Sequence, residues 1–318
     1  MDLDVLMPFH REDTYLDEAI ASLGSATGVK FRVIFIDDRV GRKKNVLKKF
    51  NEIKNYELLK TQGGEGYGEA LRLGTAAIQS EVVALFNSDD LMHPERFKQQ
   101  ILCLEKSELC ITRMMRIDSR GRKSRSLLGD IRSNSYNSKF LLLGSYGANA
   151  SWCMRKDWWI KNSFFDSQEC LDWRIALKSF DKTSISYISE PMYFYRKHRN
   201  QVTANRHIDR SRFDKVYNSW LEFALRCGLP ESTREIFEVM ALPWAGSYKS
   251  KYEQQCEWTR KLLLLPLEDR KIQDNLISLI SRRMLIASYH SENSIKDRIK
   301  YFKKGFNELL PLAHDLFF

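Results

Sequence analysis

The sequence has no long apolar run. Hydrophobic residues make up 43% of its 318 residues, but the longest such stretch, around Leu262–Leu267, is far shorter than the roughly 20 residues that span a bilayer. The first residues lack the cationic region and cleavage site of a signal peptide, and we interpret them as a strand. These absences predict a cytoplasmic protein, with peripheral contact at the inner membrane face left open.

The sequence also lacks a cysteine framework and an excess of acid. Its six cysteines show no CxxC spacing, which argues against a zinc site or a set of disulfides. The formal net charge is +10, which suits either nucleic-acid binding or an enzyme that handles phosphates. No recognised nucleic-acid module is visible, so we expect no nucleic-acid partner.

Apolar runs and amphipathic segments alternate over the first 90 residues. The runs that predict buried strands are Leu3–Met7, Phe31–Ile36 and Val82–Phe86, and segments of helical spacing lie between them. Continuous apolar strands joined by helices indicate a mostly parallel sheet that is covered on both faces. Ligands bind such sheets beyond the carboxyl ends of the strands.

Carboxylates gather at those strand ends. Asp37 and Asp38 follow the second apolar run, and Asp89 and Asp90 follow the third within the sequence NSDD. Two adjacent carboxylates need a cation or hydrogen-bond donors nearby, and hard divalent cations prefer carboxylate oxygens. The residues alone leave other interpretations open, since either pair could form a turn or cap the following helix.

Three further segments are ambiguous when taken singly. Gly63–Gly68 could bring backbone close to a nucleotide, yet it matches neither a P-loop nor a GxGxxG motif in register. Asp172 could be an ordinary acid near a helix N-terminus. His198 could be one more solvated basic residue beside Arg196 and Lys197.

In their order and spacing these segments resemble the family 2 glycosyltransferases of the GT-A fold. The resemblance is carried by VLMPFHREDTYLDEAIASL, by FRVIFIDD and by GEGYGEALRLGTAAIQSEVVALFNSDDLMHPERF. Further on, Phe164–Asp166, Cys170–Leu177 and Glu190–His198 are similar to the family's acceptor-side segment and closing strand. The resemblance implies an α/β fold with a Rossmann-like, mostly parallel central sheet flanked by helices.

The last third of the chain lies outside this resemblance. Helical stripes, such as the one formed by Val216, Trp220 and Ala224, predict a helical subdomain. We therefore expect a GT-A catalytic domain over residues 1–205 and a helical C-terminal extension over residues 206–318. This extension could contact the acceptor, a second subunit or the membrane surface, and its amphipathic end, Phe306–Phe318, could pack on the subdomain or rest on the bilayer.

The resemblance also implies a reaction. It implies an inverting, metal-dependent transfer of a sugar from a nucleotide-sugar donor, expected to be UDP-linked, to a hydroxyl group of a glycan or lipid-linked acceptor in surface polysaccharide biosynthesis. The implied cofactor is Mn²⁺ or Mg²⁺. The residues implied to bind the donor are Pro8, Phe9, Arg11, Asp37, Asp38, Gly66 and Asp89.

The remaining implied roles concern the metal, the base and the acceptor. The resemblance implies Asp90 and His198 as metal ligands, although Asn87 stands where the DxD motif has its first acid. It implies Asp172 as the general base, and Glu169 stays open as a rival. The expected acceptor contacts are Asn149, Trp152 and Trp173.

Two other functions compete with this one. A sugar-phosphate nucleotidyltransferase has a similar architecture, but it carries a Gly-rich basic signature where this chain has Pro8–Arg11. A non-enzymatic protein that binds anionic polymers would use the basic charge alone.

Overall fold

The structure is a computed structural model that describes residues 2–41, 50, 52–128, 138–144, 149–166, 170–199, 201, 214–229, 234–241 and 262. Contacts between residues divide the chain into two compact units. The first comprises Met1–Tyr136, Gly147–Ile175 and Ser179–His207, and the second comprises Asn137–Tyr146, Ala176–Lys178 and Ile208–Phe318. The expected domain boundary after residue 205 stays a prediction. In the ranges described, no helix is both long and apolar enough to cross a membrane.

The strands are β1 (Leu3–Phe9), β2 (Phe31–Asp37), β3 (Tyr56–Lys60), β4 (Val82–Leu85), β5 (Leu91–Met92), β6 (Leu109–Ile117), β7 (Lys123–Leu128), β8 (Trp152–Arg155) and β9 (Ile185–Arg196). Among the described residues they form one nine-stranded sheet in the order β3-β2-β1-β4-β8-β6-β9-β5, with β7 paired to β6. The helices are α1 (Thr14–Gly24), α2 (Tyr67–Ala76), α3 (Arg96–Cys103), α4 (Lys156–Asn162), α5 (Leu171–Ser179), α6 (Asp214–Arg226) and α7 (Arg234–Ala241).

The first half of the sheet is parallel. Strand β1 lies between β2 and β4 and pairs with both in parallel, and the residues of these strands are buried almost throughout. Burial on both faces is what continuous apolar runs predict, because helices cover each side of a parallel sheet. The second half is mixed, since β8 runs antiparallel to both β4 and β6. The predicted α/β fold class is confirmed, with a sheet that is parallel only in its first half and in the β6–β9 pair.

The second unit contains the two described helices of the predicted extension. Val216 and Trp220 lie on the buried face of α6, and the ring of Trp220 lies 5.3 Å from that of Phe237 on α7. Most of residues 206–318, including Phe306–Phe318, lies outside the described residues.

A buried ion pair fixes the start of β1. Asp4 is fully buried, and its two oxygens accept hydrogen bonds from Arg32 of β2 at 2.9 and 2.8 Å. The backbone N–H groups of Gln79 and Ser80 donate to the same carboxylate. Burial raises the pKa of Asp4, but the hydrogen bonds from Arg32, Ser80 and Gln79 outweigh burial, so its pKa lies below the usual value of 3.8.

We expect Arg32→Met to lower the free energy of unfolding by about 3–5 kcal/mol, because it leaves the Asp4 charge buried without its cation. Urea unfolding measures this. The matched control is Arg72→Met, which breaks an exposed pair with Glu69 and should cost less than about 1 kcal/mol. Since the folded-state pKa of Asp4 is depressed, the stability from this pair is present above pH 3.8 and is lost as the pH falls through the folded-state pKa. Equal losses of unfolding free energy in Arg32→Met and Arg72→Met would contradict a stabilising role for the buried Asp4–Arg32 pair.

Candidate functional site

The carboxyl ends of β1, β2 and β4 meet at one edge of the sheet. Phe9 is in register with Asp37, the backbone N–H of Asp38 donates to the Phe9 carbonyl at 2.9 Å, and that of Phe86 donates to Leu6 at 3.0 Å. The acids that follow these strands therefore come together in space, as the parallel arrangement predicts.

The carboxylate of Asp37 forms an ion pair with Arg39. Its carboxylate is 1% exposed and accepts two hydrogen bonds from the Arg39 side chain, at 2.9 and 3.0 Å. The same guanidinium binds Glu12 at 2.6 Å and lies over the ring of Phe9, 5.5 Å from its centroid. Phe9 is itself 1% exposed. These contacts favour supporting roles for Asp37 and Phe9, and their predicted contacts with the donor stay predictions.

Asp38 anchors the glycine-rich loop. Its Oδ1 accepts hydrogen bonds from the Thr61 hydroxyl at 2.5 Å and from the Glu65 N–H at 2.9 Å, and its Oδ2 accepts one from the Gly66 N–H at 2.9 Å. Gly66 has a φ of 91° and directly precedes α2, a conformation that glycine adopts at low cost. Asp38 therefore determines where α2 begins, and its predicted contact with a nucleobase stays a prediction.

An open cleft lies beside this edge. It has a volume of about 550 Å³ and is lined by His10, Arg11, Glu12, Asp13, Arg39 and Val40. Of the residues expected to bind the donor, Arg11 lines the cleft, and Pro8 is half-buried at the end of β1. Burial and the charge of Arg11 lower the pKa of His10, against the opposing charges of Asp89, Asp38 and Asp13. The neutral form of His10 is therefore favoured.

Asp90 is a buried carboxylate with three hydrogen bonds, and its predicted role as a metal ligand stays a prediction. It is 0% exposed. Its Oδ1 accepts a hydrogen bond from the Arg196 backbone N–H at 2.7 Å, and its Oδ2 accepts bonds from the Tyr193 hydroxyl at 2.6 Å and the Asn87 amide at 3.0 Å. Burial and then the charge of Asp89 raise the pKa of Asp90 to about 7, against the three hydrogen bonds. Asp90 thereby joins the loop after β4 to the end of β9.

Asp89 is the more accessible of the two adjacent acids, and it pairs with His198, whose side chain is 5% exposed. The Nε2 of His198 lies 3.1 Å from the Oδ2 of Asp89, whose side chain is 30% exposed. The guanidinium of Arg196 donates to the Asp89 carbonyl at 2.8 Å, and the Tyr15 ring lies 4.5 Å from the His198 ring. The Nδ1 of His198 is buried and makes no hydrogen bond within the described part of the chain. Nor do three or more His, Cys, Asp or Glu side chains there form a group that could bind a metal by themselves.

Asp172 lies in the first turn of α5 and is half-buried. Its Oδ1 accepts a hydrogen bond from the Trp173 backbone N–H at 2.8 Å. Two residues further along α5, Arg174 binds both oxygens of Asp166 at 2.7 Å. This ion pair fixes the helix that carries Asp172. The rival base, Glu169, lies outside the described residues.

The three predicted acceptor contacts are all buried. Trp152 is 1% exposed, Trp173 is 2% exposed and Asn149 is 6% exposed. The Trp152 ring packs 5.2 Å from that of Phe180, so it has no free face for a sugar in this conformation. Burial favours packing roles for both tryptophans, whereas Asn149 is hydrogen-bonded to the hydroxyl of Tyr67.

Sequence reasoning missed several supporting residues. The role of Arg39 could have been predicted from the sequence, because Arg39 binds Asp37 and lies only two residues after it. No local signal joins Tyr193 to Asp90, which lies 103 residues earlier. The contact between Arg196 and Asp89 joins residues 107 positions apart, and no local signal in the sequence predicts it either.

Comparisons with known proteins identify the family of the chain. The family model described as Glycosyl transferase family 2 matches residues 4–167, just over half of the chain, and the resemblance seen in the sequence is confirmed. No curated protein matches in a sequence search.

Solved structures share the fold at low sequence identity. S. aureus TarS 1–349 in complex with UDP-GlcNAc has a TM-score of 0.61 and 16% identity, over 98% of this chain and 92% of that chain. The complex of TarS 1–349 with UDP has a TM-score of 0.57 and 17% identity over the same shares. A longer TarS structure has a TM-score of 0.56 and 15% identity, over 96% of this chain and 55% of that chain.

Proposed function

The chain belongs to glycosyl transferase family 2, and on that premise we propose that it is an inverting, metal-dependent enzyme of cell-surface polysaccharide synthesis. It transfers a sugar from a nucleoside-diphosphate donor to a hydroxyl group of a glycan or lipid-linked acceptor. UDP is the proposed nucleotide, because TarS, which shares the fold, was crystallised with UDP-GlcNAc and with UDP. The observation that carries the proposal is the Asp89–His198 pair at the strand-end edge of the sheet. Membership of a glycosyltransferase family leaves the nucleotidyltransferase and polymer-binding alternatives without support.

The Asp89–His198 pair fits a divalent cation. A carboxylate oxygen is the kind of ligand that Mg²⁺ and Mn²⁺ prefer, and the Nε2 of His198, which lies 3.1 Å from Asp89 Oδ2, would supply a second ligand atom beside it. Two protein ligands suffice when substrate phosphates complete the shell. We therefore propose Asp89 and His198 as the ligands of Mn²⁺ or Mg²⁺, in place of the Asp90 expected from the sequence, because the oxygens of Asp90 already accept three hydrogen bonds.

A cation bound there would neutralise charge that develops on the leaving nucleoside diphosphate. The chain also supplies cations of its own, because Arg11 and Arg39 line the cleft at the end of β1. Arg39 is oriented by Asp37 and Glu12, so it meets a donor in a fixed position. Asp38 holds the glycine-rich loop, Gly63–Gly68, through the N–H groups of Glu65 and Gly66, so the loop is positioned independently of the donor.

Asp172 is the proposed general base. A carboxylate within reach of the acceptor hydroxyl removes its proton while the new bond to the sugar forms. The acceptor attacks from the face opposite the leaving group, and the configuration of the sugar carbon inverts. The Trp173 N–H and the Arg174–Asp166 pair orient Asp172.

The charge around the site favours an anionic acceptor. The turn between β6 and β7 contacts Arg196 through the Ser119 carbonyl at 3.3 Å, which places it beside Asp89. The exposed cations of this turn and of the segment after β9 are Arg120, Arg122, Lys123, Lys197 and Arg199. Such a surface attracts phosphate- or carboxylate-bearing glycans and lipid-linked diphosphates.

Thermal unfolding with nucleotides tests the proposal. We expect UDP with Mn²⁺ to raise the melting temperature, because a ligand that binds only the folded state stabilises it. UMP, which lacks the second phosphate, should stabilise less and without dependence on the metal. Release of UDP from UDP-sugars in the presence of Mn²⁺ should follow. If no nucleoside diphosphate stabilises the chain and no UDP-sugar is cleaved, the proposed function is wrong.

A further inference from the structure

We propose that Tyr67 is an acceptor-contacting residue, whose ring supports the acceptor sugar beside Asp172. This inference rests on the proposed function and assigns to Tyr67 an aromatic contact with the acceptor that the sequence analysis expected from Trp152 and Trp173. Tyr67 is the first residue of α2 and is 39% exposed, whereas Trp152 and Trp173 are 1% and 2% exposed.

The position of Tyr67 is fixed by close backbone packing. A Cβ added to the next residue, Gly68, would lie 2.4 Å from the Asp166 carbonyl oxygen, so no larger residue fits there without displacing backbone. Asp166 in turn binds Arg174 of α5 through two bonds of 2.7 Å. The start of α2 is thereby held against the helix whose first turn carries Asp172.

The hydroxyl group of Tyr67 has a buried partner. It is hydrogen-bonded to the side chain of buried Asn149. Burial raises the pKa of Tyr67, and the charge of Asp172 contributes next, followed by smaller contributions from Asp90 and Asp89. The phenol therefore stays neutral.

A ring held in this way suits a sugar. Tyrosine offers a large, rigid surface that is apolar on its face and polar at its tip, and it loses little conformational entropy on binding. The apolar C–H face of a pyranose can lie on the exposed ring while its hydroxyls remain near the acids. Asn149 fixes the ring by its hydroxyl, which explains why a buried amide lies at this point.

The test separates acceptor binding from donor chemistry. UDP release from UDP-GlcNAc with Mn²⁺ is measured without acceptor and with a pool of methyl glycopyranosides. Tyr67→Ala should raise the KM for the saccharides about tenfold, as the loss of an aromatic contact predicts, and should leave release without saccharide within about twofold. Tyr67→Phe keeps the ring and should change the saccharide KM only a few-fold, through loss of the Asn149 bond.

The matched control is Tyr56→Ala, which removes a tyrosine of similar exposure, 36%, on β3, and it should change neither rate. Unchanged saccharide KM in Tyr67→Ala would overturn the inference while the proposed function stands. Equal loss of release with and without saccharide would also overturn it, because a general structural role predicts that result. If the wild-type chain neither cleaves UDP-sugars nor responds to saccharides, the proposed function fails and the inference fails with it.

Discussion

Replacing Asp172 with Asn should lower the turnover number for sugar transfer by about 10²–10⁴-fold, the range that removal of a general base produces. The substitution preserves the shape of the side chain and its ability to accept the Trp173 N–H, so the first turn of α5 should remain in place. Stabilisation by UDP and Mn²⁺ should be unchanged, because Asp172 does not bind the donor in the proposed arrangement. Initial-rate kinetics together with nucleotide thermal shifts would measure both effects.

The control for this substitution is Asp157→Asn. Asp157 is exposed and lies in the first turn of α4, so it matches Asp172 in residue type and helix position but not in role. Glu169→Gln tests the rival base. If Glu169→Gln abolishes transfer and Asp172→Asn leaves it intact, the base has been assigned to the wrong acid.

The fold and the location of the candidate site could be predicted from simple features of the sequence. Continuous apolar runs predicted β1, β2 and β4, because a strand that is covered on both faces carries apolar side chains on both faces and shows no polar alternation. Since the carboxyl ends of parallel strands lie at the same edge of the sheet, the acids that follow these strands lie close together. The spacing of Asp37–Asp38 and Asp89–Asp90 was therefore enough to find the edge without knowing its geometry.

The assignment of individual roles could not follow in the same way. Adjacent acids such as Asp89 and Asp90 look equivalent in a sequence, and the contacts that distinguish them come from β9, more than 100 residues later. Burial of Trp152 depends on Phe180, which no periodicity connects to it. Local patterns predict which residues share a strand end, whereas long-range packing decides which of them face the substrate.

The sharpest consequence of that packing is a difference between two neighbouring acids. We expect Asp89→Asn to lower transfer by about 100-fold, equivalent to about 3 kcal/mol, because a divalent ion that stabilises the leaving diphosphate contributes several kcal/mol. The Mn²⁺ concentration for half-maximal activity should rise together with this loss, and His198→Gln should act in the same direction. Asp90→Asn should instead lower the melting temperature through the Tyr193 and Arg196 contacts and leave the Mn²⁺ requirement unchanged.

A matched acid makes the comparison specific. Asp118 is 39% exposed and pairs with Arg122 at 2.7 Å in the turn beside the site, so Asp118→Asn controls for loss of an exposed, paired carboxylate. EDTA should abolish wild-type transfer, and added Mn²⁺ should restore it. Full activity in EDTA would refute the metal role altogether. A raised Mn²⁺ requirement in Asp90→Asn, with none in Asp89→Asn, would return the ligand role to Asp90 and would mean that its three hydrogen bonds break when the donor and metal bind.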